Sequence, residues 1–362
     1  MNKTRIKAID FFCGGGGMSF GMQEAGIEIL AGIDYDENCR DTYEANIGKG
    51  KFIHANVFDL KENNLQKQLG LIKNDDSLLL IGCSPCQFWS IINTDKNKSE
   101  KSKNLLVEFE RFVKYLNPGY VVVENVPGVL RKKKESGLED FISWLEKSNY
   151  TVHFKIHNTN DFGVPQNRKR FTLVANRLGQ NKIFPLVDNG KKLCVKDVLG
   201  ENNGFPRISA GSIDKSDFLH SVPSITETTL KRLQKIKTDG GDRFDFADDP
   251  ELQLNCFKGR DKSFKDTFGR LWWNRPSPTI TTKFTSVSNG RFVHPEENRA
   301  LSLREGATIQ SFPKSYKFYG NSFSSIARLI GNAVPPEYSK KIGQAIIGNH
   351  KIWQNLEQKQ EQ

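Results

Sequence analysis

From Arg5 to about Arg177 the chain alternates short apolar runs with stretches of helical spacing, and no other feature limits its fold as sharply. The apolar runs centre near Ile6, Ile29, Phe52, Leu79, Val122, Val152 and Thr172, with predicted helices between most of them. Strands separated by helices are too far apart in sequence to pair as hairpins, so they form βαβ units around a sheet covered on both faces. The predicted class is therefore α/β, with a doubly wound, mostly parallel sheet. The carboxyl ends of parallel strands in such a sheet share one side, and ligands bind there. Residues that directly follow the apolar runs are thus the first candidates for chemistry.

Beyond Leu178 the alternation breaks up. From there to Arg270 the sequence is rich in Gly, Asp, Asn, Lys and Arg, with amphipathic spacing only from Thr228 to Lys237. A second, smaller domain is predicted in this stretch, and 362 residues are enough for two domains. The 53 Lys and Arg outnumber the 42 Asp and Glu, and a net charge of +11 suits a polyanionic partner. Between Lys258 and Arg275 six Lys or Arg and two Asp interleave with Phe264, Phe268, Trp272 and Trp273. That mixture fits a surface for phosphates and base edges, with Lys258, Arg260 and Arg270 as candidate contacts, and it equally fits aromatic anchors of a small core ringed by solvated charges. No apolar stretch is long enough for a bilayer and no charged-then-apolar leader is visible, so no membrane partner is expected. Six cysteines without a dense pattern fit a reducing, cytoplasmic compartment. The residues from Glu357 to Gln362 read as a frayed polar tail.

Three strand ends carry reactive side chains. The apolar run Ser77 to Ile81 opens into Gly82-Cys83-Ser84-Pro85-Cys86-Gln87-Phe88-Trp89-Ser90. Proline restricts the residue before it and the small residues permit a tight loop, so a cysteine there can be exposed as a nucleophile. Cys83 and Cys86 also form a C-x-x-C, but Cys13, Cys39, Cys194 and Cys256 supply no second one, and no metal site is expected. The run Tyr120 to Val123 ends in Glu124, which alone could equally be a helix-capping or surface carboxylate. Ahead of Phe171 to Ala175 stands Gln166-Asn167-Arg168-Lys169-Arg170, where a period of two points Arg168 and Arg170 to one face.

Taken in order, the Pro-Cys-Gln, Glu-Asn-Val and Gln-x-Arg-x-Arg runs resemble the motifs of the C5-cytosine-specific DNA methyltransferases, and the likeness covers nearly the whole chain. Asp10-Phe11-Phe12-Cys13-Gly14-Gly15-Gly16-Gly17 fits no register of the dinucleotide fingerprint G-x-G-x-x-G. It resembles instead the family's Phe-x-Gly-x-Gly loop for S-adenosyl-L-methionine, which implies cofactor contacts at Phe12, Gly14 and Gly16. A second run, Glu28 to Ile33, ends in Asp34-Tyr35, further implied contacts; Asp34 could accept hydrogen bonds from ribose hydroxyls or simply start a helix. Pro85 is implied in the same pocket. Where the family commonly has Gly-Asp-Ile, this chain has Ala55-Asn56-Val57, which places Asn56 and Val57 at the adenine edge. An amide keeps an acceptor there and loses the charge, so Asn56→Asp is expected to tighten cofactor binding. Arg275 to Thr282 and His294 to Pro313 resemble the ninth motif, with a helix from Ser302 to Gln310. Ile330-Gly331-Asn332-Ala333-Val334-Pro335-Pro336 resembles the tenth, with Asn332 as the implied cofactor contact before a last helix from Glu337 to Ile347.

The resemblance implies a class I, Rossmann-like methyltransferase with a catalytic and cofactor domain over 1–177 and a target-recognition domain over 178–270. It also implies a supporting segment over 271–325 and a returning helix over 326–350. Cys86 would add to C6 of a flipped cytosine, Glu124 would meet N3 and the N4 amino group, Arg168 would hold Glu124 and the O2 edge, and Arg170 would position the base or a phosphate. Gln87 and Ser90 would touch DNA, and the polar stretch Asn93 to Lys103 would close over the base. The implied partner is double-stranded DNA, bound by a monomer in a prokaryotic cell, on nucleoid DNA, with a restriction endonuclease for the same site as a candidate companion; the product is S-adenosyl-L-homocysteine. One branch of the family methylates transfer RNA, so structured RNA is the nearest rival substrate. A catalytically silent DNA-binding regulator has no need of Cys86, Glu124 and Arg168 together.

Overall fold

The computed structural model describes residues 5–84, 104–188, 190, 192–257, 259 and 264–360. The chain divides into two compact units: Met1–Phe162 with Lys169–Asp188 and Val334–Gln362, and Gly163–Arg168 with Asn189–Ala333.

The first unit is built on β1 (Lys7–Phe11), β2 (Glu28–Asp34), β3 (Lys51–His54), β4 (Leu78–Gly82), β5 (Tyr120–Asn125), β6 (Thr151–Asn158) and β7 (Lys169–Asn176). They lie in the order β3-β2-β1-β4-β5-β7-β6. Every pair is parallel except those of β7, which runs antiparallel to both neighbours. All seven expected strands are present, in the expected doubly wound class. The reversal of β7 follows from its link to β6, whose one described element is a single 3-10 turn, Thr159–Phe162. So brief a connection suits an antiparallel return, whereas a parallel crossover needs a dozen or more residues.

Helices α1 (Gly17–Ala25), α2 (Arg40–Asn46), α3 (Glu62–Leu69), α4 (Leu105–Leu116) and α5 (Leu138–Lys147) fill the crossovers. In α4 the apolar residues Leu106, Phe109, Phe112, Val113 and Leu116 repeat at helical spacing and are all buried. The Phe109 and Phe112 rings lie 5.4 and 4.9 Å from Phe11 of β1, and Phe141 of α5 adds an edge contact to Phe109 at 6.2 Å. The last helix, labelled α9 (Pro336–Gln360), packs on α1, where a Cβ on Gly21 would fall 2.2 Å from the Pro336 carbonyl oxygen. It is longer than the sequence suggested. Its polar end is made of good helix formers without a breaker, so the residues read as a frayed tail continue the helix to Gln360.

The second unit has little regular structure: α6 (Glu227–Lys235), α7 (Leu303–Ile309) and α8 (Phe323–Asn332) amid loops and isolated bridges. Ser302 caps α7 in a capping box with Glu305. Leu233, Ile236, Phe246, Leu252, Phe257, Phe268, Val287, Val293 and Ala300 form its core. A loop-rich unit leaves many buried carbonyls without ladder partners, and long guanidinium forks satisfy them here. Arg270, 1% exposed, donates to the carbonyls of Leu233, Ile236, His294 and Glu297 and to the Asn298 side chain. Arg291 likewise donates to the carbonyls of Gly240 and Arg270, with Asp242 and Asp266 as charged partners.

Candidate active site

Strands β4 and β5 are parallel neighbours, so the chain leaves both on the same side of the sheet. Glu124, the next-to-last residue of β5, is buried. Because β7 is reversed, its first residues lie beside the last residues of β5, with Glu124 opposite Thr172 and Asn125 opposite Phe171. Arg170 is then the diagonal neighbour of Glu124, within reach of a long side chain. Its Nε lies 3.0 Å from Glu124 Oε1, and both side chains are largely enclosed. A carboxylate at a strand end, held against a guanidinium and shielded from water, is suited to exchange hydrogen bonds or a proton with a ligand in front of it.

The exit of β4 is fastened to the same place. Asn125 is buried, and its Nδ2 donates to the Ser84 carbonyl at 3.2 Å and to Ser84 Oγ at 3.1 Å, while its Oδ1 accepts from Val126 N at 2.8 Å. The Cys83 amide donates to the Phe11 carbonyl at 3.2 Å. Burial first, then the charges of Asp10 and Glu124, pushes the Cys83 thiol well above its ordinary range, so it is a poor thiolate and a poor redox partner. Pro85, Cys86, Gln87, Ser90 and the polar stretch through Lys103 lie outside the described residues, as do Lys258 and Arg260. Among the described residues no group of three or more His, Cys, Asp or Glu could hold a metal ion.

The model of the family described as C-5 cytosine-specific DNA methylase matches residues 6–348. The chain belongs to that family. Type II methylase M.HgiDII of Herpetosiphon aurantiacus is 34% identical over 343 residues, 93% of this chain and 94% of the relative. Type II methyltransferase M1.HphI of Haemophilus parahaemolyticus is 30% identical over 342 residues, 94% of this chain and 86% of the relative. Among solved structures, one described as a DNA modification methyltransferase encoded within an E. coli prophage superposes with a TM-score of 0.73 at 19% identity, over 96% of this chain and 99% of that one. The S. pombe Dnmt2 methyltransferase gives 0.62 at 17%, over 96% and 99%. The fold is that of the class I methyltransferases, and the chain is a DNA cytosine-5-methyltransferase.

The carboxyl ends of the parallel strands β1 to β3 share one side of the sheet, where α/β folds bind ligands. The turn after β1 has positive φ at Phe12 (63°), Gly14 (51°) and Gly16 (86°), and the space a Cβ on Gly14 would occupy is open. The Gly14 amide donates to Asp34 Oδ2 and the Asp36 amide to Asp34 Oδ1, both at 2.9 Å. Asp34 therefore shapes the glycine turn, and its carboxylate keeps acceptor capacity for a hydroxyl. Burial is the main cause that raises its carboxyl above the ordinary value. Tyr35 beside it is 66% exposed, a free ring face for stacking. These residues fit a nucleoside with a ribose diol. Val57, in contrast, turns its side chain into the core, and its carbonyl accepts from Arg111.

Asn56 has a charged neighbour that bears on one expectation. Its Nδ2 donates to Asp59 Oδ2 at 2.8 Å, and its Oδ1 accepts from the Phe58 amide at 3.4 Å. Asn56→Asp would set two carboxylates side by side and is expected to weaken cofactor binding.

Three further residues, Arg168, Arg170 and Arg270, depart from the sequence reading. Arg168 is 2% exposed and donates to the carbonyls of Ile280 (2.9 Å), Gly331 (2.9 Å) and Ala333 (3.1 Å) within the second unit. Arg170, not Arg168, holds Glu124; β7 begins at Lys169, so the period-two argument does not extend back to Arg168. Arg270, a candidate DNA contact, is consumed by the carbonyls named above and cannot reach a phosphate. Asn332 ends α8 in the second unit and is exposed. The reading also missed the work of Asn125. A buried amide directly after a buried carboxylate, at the end of an apolar strand, was the available signal.

Proposed function

We propose that the enzyme methylates C5 of a cytosine swung out of double-stranded DNA, with Cys86 as covalent nucleophile and S-adenosyl-L-methionine as methyl donor. The observation that carries this reading is the Glu124–Arg170 pair at the exit of β5, beside the exit of β4 that leads to Cys86. Cytosine C5 is a weak nucleophile. Addition of the Cys86 thiolate to C6 makes C5 enamine-like and drives electron density toward N3. Glu124 meets that density at N3 and the N4 amino group, and Arg170 keeps the carboxyl oriented while the charge moves. The bound cofactor supplies an electrophilic methyl group on sulfur. Once C5 carries the methyl group, loss of its proton to a base expels the Cys86 thiolate and restores the ring.

Phe12, Gly14, Gly16, Asp34, Tyr35, Asn56 and Asn332 are proposed cofactor contacts, with Pro85 beside them; Val57 would contribute only main chain. The unit spanning Asn189–Ala333 is proposed to read the target, together with Gln87, Ser90 and basic residues near Lys258 and Arg260. A base inside a duplex is unreachable, and extrusion costs a few kcal/mol, offset by contacts of the basic chain with phosphates. The Type II names of bacterial relatives support a prokaryotic host and a companion endonuclease.

The test is covalent capture on a duplex containing 5-fluorocytosine at the target, which cannot lose a proton from C5. Wild-type enzyme with cofactor should form a denaturant-resistant adduct and Cys86→Ala should form none while still binding DNA. An adduct that survives in Cys86→Ala would remove Cys86 from the mechanism.

A further inference from the structure

Tyr338 stands in the first turn of α9, fully buried, with its ring 5.0 Å from Phe162 and 6.1 Å from His157. Its hydroxyl lies 2.6 Å from Thr172 Oγ1. Thr172 is directly opposite Glu124 across the β5–β7 ladder, so the two side chains stand on one face of the sheet. Arg170, two residues before Thr172, shares that face and reaches Glu124 along the diagonal. His157, opposite Arg170 on β6, has its basicity pushed down to about 4, chiefly by burial, and is a neutral wall.

Packing alone does not call for this arrangement. Two buried hydroxyls bonded to each other contribute little net stability, and apolar side chains of the same shape would do as well. What the bond supplies is direction, because it fixes both rotors behind the ion pair. Electrostatics agree that the groups are close: burial is the main cause that raises the Tyr338 hydroxyl, the Thr172 hydrogen bond and the Arg170 charge oppose it, and the Glu124 charge adds to it.

We propose that Tyr338 is a positioning residue for Glu124: anchored on Thr172, its hydroxyl holds the sheet face on which Glu124 and Arg170 are set for the cytosine ring. This rests on the reading of Glu124 given above. Neither Tyr338 nor Thr172 touches the substrate in it.

Tyr338→Phe keeps the ring and removes only the hydroxyl. Single-turnover methyl transfer at saturating DNA and cofactor should fall about tenfold, with the DNA Kd and the KM for cofactor within about twofold of wild type. Thr172→Val should give the same loss, the double variant should lose little more than either alone, and Thr172→Ser should restore the rate. Should Tyr338→Phe fail to fold, the Thr172 pair carries the comparison. A wild-type rate in Tyr338→Phe, multiplicative losses in the double variant, or equal losses in binding and rate would overturn the proposal. Glu124→Gln in the same assay separates the two readings: full activity there would sink the role of Glu124 itself, whereas an inert Glu124→Gln beside an unaffected Tyr338→Phe sinks only the role of Tyr338.

Discussion

Replacing each arginine of the Gln-x-Arg-x-Arg run by methionine should produce two different failures. In Arg170→Met the cation 3.0 Å from Glu124 Oε1 is lost. At that distance the attraction is about 5 kcal/mol for an effective dielectric constant near 20, and desolvation takes back part of it. A net loss of about 2–4 kcal/mol from the transition state corresponds to a rate reduced roughly 30- to 10³-fold. In Arg168→Met the carbonyls of Ile280, Gly331 and Ala333 lose charged donors. Each unsatisfied group costs about 1–3 kcal/mol, which sums to roughly 3–9 kcal/mol and a fall in Tm on the order of 10 °C. Below that melting point the folded fraction should still transfer methyl groups at a rate within about tenfold of wild type. Single-turnover transfer of labelled methyl groups and differential scanning calorimetry on the full chain read the two effects separately. A folded Arg168→Met with unchanged Tm and a rate as low as that of Arg170→Met would refute the assignment made from the β7 register.

Asn56→Asp should weaken cofactor binding measured by calorimetry, and Asn56→Asp combined with Asp59→Asn should recover it; tighter binding in the single variant would mean that Asp59 is not its partner. Glu305 is enclosed, and although burial would raise its carboxyl, the two-point contact with Arg299 brings it down to about 2. Its folded value lies below its unfolded one, so its stabilisation is complete above about pH 4.5 and is lost as pH falls toward about 2; Glu305→Gln should cost about 3 kcal/mol at neutral pH and flatten that slope. Urea unfolding followed by tryptophan fluorescence decides this, and parallel pH profiles for wild type and variant would count against it. Gly21→Ala, which drives a Cβ toward the Pro336 carbonyl, should separate α1 from α9 at a cost of about 1–3 kcal/mol, seen as a lower Tm; an unchanged Tm would show that the helices can part freely.

What the sequence determined by itself was whatever is periodic or local. The alternation of apolar runs and helical spacing sets a doubly wound sheet because buried parallel strands have no other way to be connected, and all seven strands are where those runs lie. Ser302 three residues before Glu305 was enough to start α7. The glycine turn, Asp34 and Glu124 were legible because reactive side chains at the carboxyl ends of parallel strands share one edge. Tertiary structure decided the partners. The short link from β6 sets the direction of β7, but only the sheet order places β7 beside β5, which brings the start of one strand to the end of another and sets Arg170 against Glu124. Nothing local distinguishes Arg270 from a phosphate-binding arginine, because a guanidinium fork serves carbonyls and phosphates through the same donors, and only the fold fixes which of them is within reach. The bond between Thr172 and Tyr338 spans 166 positions of the chain, so no window on the sequence contains it.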